Sequence, residues 1–138
     1  MPTEAEWEFA ARGGTKSAGY NYSGSNNINA VAWYWKNAGN KRRSSPTFGT
    51  HVVKTKKPNE LGIYDMSGNV FEWCADWYDD YTDAAQTNPQ GASSGSDRVA
   101  RGGSWGISSA RYCRSLHRHG NVPDYRNFDL GLRLVLLP

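Results

Sequence analysis

Apolar residues recur at helical spacing clearly only once, at the start of the chain. Across Pro2 to Gly14, Ala5 and Phe9 share one face and Trp7, Ala10 and Ala11 another, which predicts an amphipathic helix. Thr3 and Glu6 stand in capping-box order, Glu4 adds negative charge to the electropositive first turn, and Gly13-Gly14 ends the helix. Beyond it the pattern breaks up. Asn, Gly and Ser crowd 19–29 and 37–45, and only Ala30 to Trp35 (AVAWYW) is apolar enough to be buried there, as a short helical turn or a strand that pins the loops. After the turn signal Ser67-Gly68-Asn69, the residues Val70, Phe71, Trp73 and Trp77 predict a strand or a bent strand pair. A polar loop over 82–97 leads to a second strand from Arg98 to Arg101. Gly102-Gly103 then permits close backbone approach to a bulky neighbour such as Trp105. Leu130 to Leu137 reads as an apolar closing strand in the core.

The last third follows no period at all. Gly102, Gly103, Trp105, Cys113, Arg114, Arg118, Pro123, Arg126, Gly131 and Arg133 look like frame. Among them stand Gly106, Ile107, Ser108, Tyr112, His117, His119, Gly120, Asn121, Val122, Tyr125, Asn127, Phe128 and Asp129. Such a mixture suits an irregular, supported surface whose loop side chains face a partner. Residues 106–138 contain no Lys, Glu, Gln, Met or Trp, whereas the preceding 105 residues contain 21 of them. No codon ending in C encodes these five types, and every type present here has one. Mutagenesis directed at the adenines of AAC codons leaves this pattern behind.

Composition narrows the function classes. At 138 residues the chain is one domain with a real core. Its net charge of +3 is too small to argue for nucleic acid, and the seven arginines from Arg98 to Arg133 lack accompanying lysines. Six Trp and eight Tyr supply large apolar faces, although the mean hydropathy is −0.74. No apolar run reaches membrane-spanning length and no signal peptide is visible. A cell-surface or extracellular site therefore requires an export segment outside this sequence, and the cytoplasm is the expectation otherwise.

Cys74 and Cys113 allow either one disulfide, contributing about 3–4 kcal/mol by chain entropy, or two buried free thiols. Neither has the C-x-x-C neighbour that a zinc site needs. Glu72, between Phe71 and Trp73, is either hydrogen-bonded to the protein or bound to a structural calcium ion; no other cofactor is implied. The runs Lys41-Arg42-Arg43 and Lys54, Lys56, Lys57 read as solvated loops, as does the cluster Asp79, Asp80 and Asp83, and His51 reads as structural.

PTEAEWEFAARGG (2–14), NELGIYDMSGNVFEWCADWY (59–78), RVARGGSW (98–105) and PDYRNFDLGLRL (123–134) together resemble the formylglycine-generating enzyme (sulfatase-modifying factor) family. The resemblance implies an α+β, C-type-lectin-like fold: a small twisted antiparallel sheet, few helices and many irregular loops. It also implies a strand and helix upstream of the first helix, the strand pairing with the closing strand. Without that strand, the exposed edge predicts self-association or cover by another chain. The family's enzymes bind copper through two cysteines shortly after the RGGS-aromatic motif. Here the first position falls near Ile107 and the second near Tyr112 or Cys113, and one thiolate does not make the two-coordinate site that Cu(I) prefers.

Non-enzymatic members of the family have C-terminal regions diversified by retroelements, and their variable region resembles this one. Cys113-Arg114, Arg118, Pro123-Asp124, Arg126 and Gly131 fall on its constant frame. The resemblance implies a ligand-binding protein with scaffold at 1–105, a hypervariable face at about 106–129 and a closing strand at 130–138, binding a protein or other macromolecule. The arginines Arg114, Arg118, Arg126 and Arg133 would hold the loops through carbonyls and Asp76 or Asp124. The competing readings are a copper-dependent formylglycine-generating oxidase or related sulfur oxidase, and a calcium-dependent lectin. The chain has no Glu-Pro-Asn or Gln-Pro-Asp sugar signature, and its three histidines (51, 117, 119) form no evident metal triad.

Overall fold

A computed structural model describes residues 1–136. Its first helix, α1 (Glu4–Ala11), carries the predicted cap in full. The Thr3 hydroxyl accepts from the Glu6 amide at 3.2 Å, and the Glu6 carboxylate accepts from the Thr3 amide at 2.8 Å. Gly13, at φ 90°, ends it. Trp7 and Ala11 face the core with Met66, Cys74 and Val99, while Phe9 is exposed, so only the Trp7 face of the two predicted ones is buried. A second short helix, α2 (Ile28–Val31), and a π-turn at Trp35–Gly39 bracket the AVAWYW segment. Val31, Ala32 and Tyr34 of that segment are buried. No helix among the described residues is long and apolar enough to cross a membrane.

Four strands form one sheet: β1 (Phe71–Trp77), β2 (Arg98–Arg101), β3 (Arg118–Asn121) and β4 (Leu130–Leu132), in the order β3-β2-β1-β4. β1 alternates. Glu72, Cys74 and Asp76 turn toward α1 and are buried, while Trp73, Ala75 and Trp77 on the other face are half-buried. The buried acids are there because the helix needs them. The Asp76 carboxylate accepts the Glu4 amide at 2.7 Å at the start of α1, and the Glu72 carboxylate accepts the Trp7 indole N–H at 2.7 Å.

Three arginines then tie the second half of the chain to this layer. Arg118 grips Glu4 through two hydrogen bonds at 2.7 and 2.8 Å. Arg133 does the same to Glu72 at 2.9 and 2.6 Å. Arg101, 0% exposed, donates to the Glu8 carboxylate and to the carbonyls of Ser115, Leu116 and His117.

Several expectations change. At Glu72, where hydrogen bonding to the protein and a calcium ion were the alternatives, the carboxylate accepts from Arg133 and Trp7, and a calcium ion there would have to displace the guanidinium. Arg118 and Arg133 pair with Glu4 and Glu72 rather than with Asp76 or Asp124, and Arg114 and Arg126 are exposed without a side-chain hydrogen bond among the described residues. Cys74 and Cys113 are separate buried thiols, not a disulfide. The β1–β4 pairing is parallel, while the other two pairings are antiparallel as expected. β4 reaches β1 only after the chain has built β2 and β3, so no hairpin dictates its direction. Nor is the closing segment core: β4 spans three residues at the sheet edge, and Leu132, Leu134 and Leu136 are exposed, the last at 98%. Leu137 and Pro138 lie outside the described residues.

Candidate ligand-binding face

The region after β2 hangs from the frame at fixed points. Gly102 and Gly103 have φ of 91° and 73°, which side-chain-bearing residues rarely adopt. A Cβ on Gly103 would also stand 2.7 Å from the Tyr112 carbonyl and 2.8 Å from Cys113 Sγ; on Gly102 it would meet Trp7 at 3.2 Å. The close neighbours are thus Trp7 and the 112–113 backbone rather than Trp105. Trp105 donates its amide to the Asn69 carbonyl at 2.9 Å, and its ring lies against Phe48 at 5.0 Å and Phe128 at 5.3 Å.

Further pins follow along the chain. The Ile107 carbonyl accepts from the Trp35 amide at 3.2 Å, and the Ser67 hydroxyl donates to the Cys113 carbonyl at 2.9 Å. Arg101 holds 115–117, and β3 pairs through 118–121. The Asp129 carboxylate accepts from Ser104 at 2.7 Å while its carbonyl accepts the Phe71 amide at 2.8 Å.

None of the thirteen residues singled out from sequence is buried, and Ser108, His119, Val122, Tyr125 and Phe128 are exposed. Of the frame residues, Gly102, Gly103, Trp105 and Cys113 are buried, Arg118, Gly131 and Arg133 are half-buried, and Arg114, Pro123 and Arg126 are exposed. The thirteen do not form one patch. Gly106, Phe128 and Asp129 line a groove of about 490 Å³ with Trp35, Lys41, Arg43, Phe48 and Trp105. His117, packed edge-on to Tyr112 at 4.7 Å, borders a second groove of about 350 Å³ that includes Arg12, Tyr20, Arg114 and Leu116. His119 stacks on Phe71 at 5.1 Å. Asn121 lies at the end of β3, half-buried. The Tyr125 hydroxyl accepts from the Asn127 amide group at 2.9 Å. Gly120 faces the frame, because a Cβ there would stand 3.1 Å from the Tyr78 ring.

The groove's second wall, Trp35 to Phe48, is absent from the sequence-based list. Lys41 and Arg43, read there as a solvated run, border an aromatic floor. One sequence signal points to them: residues 9–59 contain nine Lys and Arg and no Asp or Glu.

Burial sets the chemistry of the titrating groups. It pushes the Cys113 thiol up to about 12 and raises that of Cys74 as well, the nearby Arg101 charge only partly opposing the second shift. Burial also lowers the His117 imidazole, with His119, Arg101 and Arg111 adding repulsion, so this ring favours its neutral form. Both thiols are expected to resist iodoacetamide at about pH 8 in the native chain and to react in denaturant, read by mass spectrometry. Labelling of native Cys113 would mean that the 110–117 segment opens. Among the described residues no group of three or more His, Cys, Asp and Glu is placed to hold a metal ion.

A four-stranded mixed sheet backed by one capped helix and carrying long irregular loops is the C-type-lectin-like architecture of formylglycine-generating-enzyme-like proteins. The chain belongs to the sulfatase-modifying factor enzyme 1-like domain family, whose pattern matches residues 1–137. It is 46% identical to a chaperone protein LppX of Paenibacillus barcinonensis, over 98% of this chain and 48% of that protein. It is 35% identical to a formylglycine-generating enzyme of Streptomyces coelicolor, over 96% of this chain and 45% of that one. The solved Treponema denticola variable protein 1 superposes with a TM-score of 0.80 at 44% identity, covering 96% of this chain and 45% of its own. The chain therefore spans less than half the length of these relatives.

Proposed function

We propose that this domain is a ligand-binding module with a fixed frame and a diversified face at residues 106–129. The observation that carries the reading is that all thirteen candidates keep solvent access on loops anchored by buried frame residues. Gly102, Gly103, Trp105 and Cys113 are inside, whereas Arg114, Pro123 and Arg126 of the frame are themselves exposed. The missing Lys, Glu, Gln, Met and Trp at 106–138 point the same way, as does the likeness to a protein named a variable protein. Tyr125, Phe128 and His119 supply rigid contact area, while Ser108, Asn121 and Asn127 supply adaptable hydrogen bonds, the division of labour seen in antibody loops. The ligand is a protein or other macromolecule.

The test is a library in which the codons for Ser108, His119, Val122, Tyr125 and Phe128 become NNC. Most members are expected to fold, and selection on an arbitrary protein target is expected to yield binders. Widespread unfolding would overturn the reading.

The competing reading, a copper-dependent oxidase, draws on the 35% identity to a formylglycine-generating enzyme. Against it, Ile107 offers no donor atom where the family's first copper cysteine falls. Cys113 is fully buried, with its thiol pushed up to about 12 by burial. Cys74 packs under α1 with Trp7. The residues present do not fit a two-thiolate copper site. Titration with Cu(I) against a competing chelator is expected to show no tight stoichiometric binding; one tightly held ion together with thiol oxidation would restore the enzyme reading.

A further inference from the structure

We infer that the groove beside Trp105 takes an acidic peptide segment carrying an aromatic or other large apolar side chain. This deepens the binding-face reading and rests on it. Trp35, Phe48, Trp105 and Phe128 form the apolar walls; Trp35 is 40% exposed and Phe128 72%, so much of this surface is open to a partner. Lys41 and Arg43 border it without an ion pair or hydrogen bond among the described residues. The one acid at the groove, Asp129, is held by Ser104. Trp105 is 7% exposed, and its indole N–H is buried with no acceptor among the described residues. An N–H in that position is costly until an acceptor reaches it. Two unpaired cations against the single carboxylate of Asp129, together with an orphan donor, favour carboxylate-bearing partners over basic ones.

The asymmetry is also built into the chain, since residues 9–59 carry nine basic residues and no acid. Trp35, Lys41, Arg43 and Phe48 lie outside 106–129. The two cations are therefore a constant property of the groove, while Phe128, Asp129 and their neighbours choose among acidic partners.

The experiment is selection of a phage-displayed random peptide library on the intact chain, followed by affinity measurement of the enriched peptides. The expected result is enrichment of Asp and Glu around a Trp, Phe or Leu. Binding is expected to weaken about tenfold in Lys41→Gln/Arg43→Gln and to fall with salt. Lys16→Gln/Lys57→Gln removes the same charge from exposed sites elsewhere and is expected to change affinity far less. Equal losses in the two pairs would reduce the effect to net charge and overturn the groove assignment. Neutral or basic peptides that lose binding in Phe128→Ala would overturn the acidic class but leave the binding face standing. Failure to enrich any peptide, or enriched peptides indifferent to Phe128→Ala and Tyr125→Ala alike, would count against both.

Discussion

Trp105→Ala is expected to lower the unfolding free energy by about 3–5 kcal/mol, and Tyr125→Ala to leave it nearly unchanged. The two aromatics lie 20 residues apart in the same aperiodic stretch, and the sequence reading puts Trp105 in the frame and Tyr125 on the face. Their surroundings differ accordingly. Trp105 is 7% exposed, fills the space between Phe48 and Phe128, and is tied to the 67–69 turn through its amide. Removing it leaves a cavity beneath the groove and loosens the link between the face and its support. Tyr125 is 42% exposed, and its hydroxyl bonds only to a neighbouring loop residue, Asn127. Truncating it removes contact area that solvent already reaches. Urea denaturation followed by circular dichroism checks both; equal losses would erase the division between frame and face.

Arg101→Met is expected to cost a similar amount, about 3–5 kcal/mol, because it removes one member of a buried charged network. Methionine fills much of the volume but donates nothing. The carbonyls of Ser115, Leu116 and His117 lose their donor, and Glu8 loses its cation, keeping only Arg12 at 3.3 Å at the surface. Arg101→Lys is expected to recover only part of the loss, since an ammonium does not reach a carboxylate and three carbonyls with one geometry. Because the tether holds the segment between Cys113 and β3, limited proteolysis of Arg101→Met is expected to cut within 114–117 first. A loss below about 1 kcal/mol would show that the 115–117 carbonyls find other donors.

What the sequence disclosed and what it withheld divide by range. The capping box at Thr3 and Glu6, the strands at 71–77 and 98–101 and the tight passage at Gly102-Gly103 are written in neighbouring residues, and each is where local chemistry puts it. The partners of the arginines are not local. Glu4 and Arg118 are 114 positions apart, and no spacing rule connects them. Asp76, expected as an arginine partner, is instead the acceptor at the start of α1. The closing segment misled because its leucines suggest core, whereas a three-residue edge strand cannot cover them. Glu72 remained ambiguous between a metal and a guanidinium because both satisfy a buried carboxylate equally well.

For the candidate face, composition singled out a region that periodicity did not. Five residue types are absent from 106–138, and the candidates within it have access to solvent. Composition could not say that three of them line one groove and His117 borders another, that Gly120 leans on Tyr78, or that Trp35 and Phe48 complete the wall. A π-turn followed by polar loop has no readable signature, so the constant half of the groove emerges only in three dimensions.

The most direct measurement is the nucleotide sequence of the locus that encodes this chain. A near-identical repeat of its 3′ end is expected downstream. That repeat should carry AAC codons at the positions of Gly106, Ile107, Ser108, Tyr112, His117 and His119, beside a reverse transcriptase gene. A locus with neither repeat nor reverse transcriptase would contradict diversification of this face.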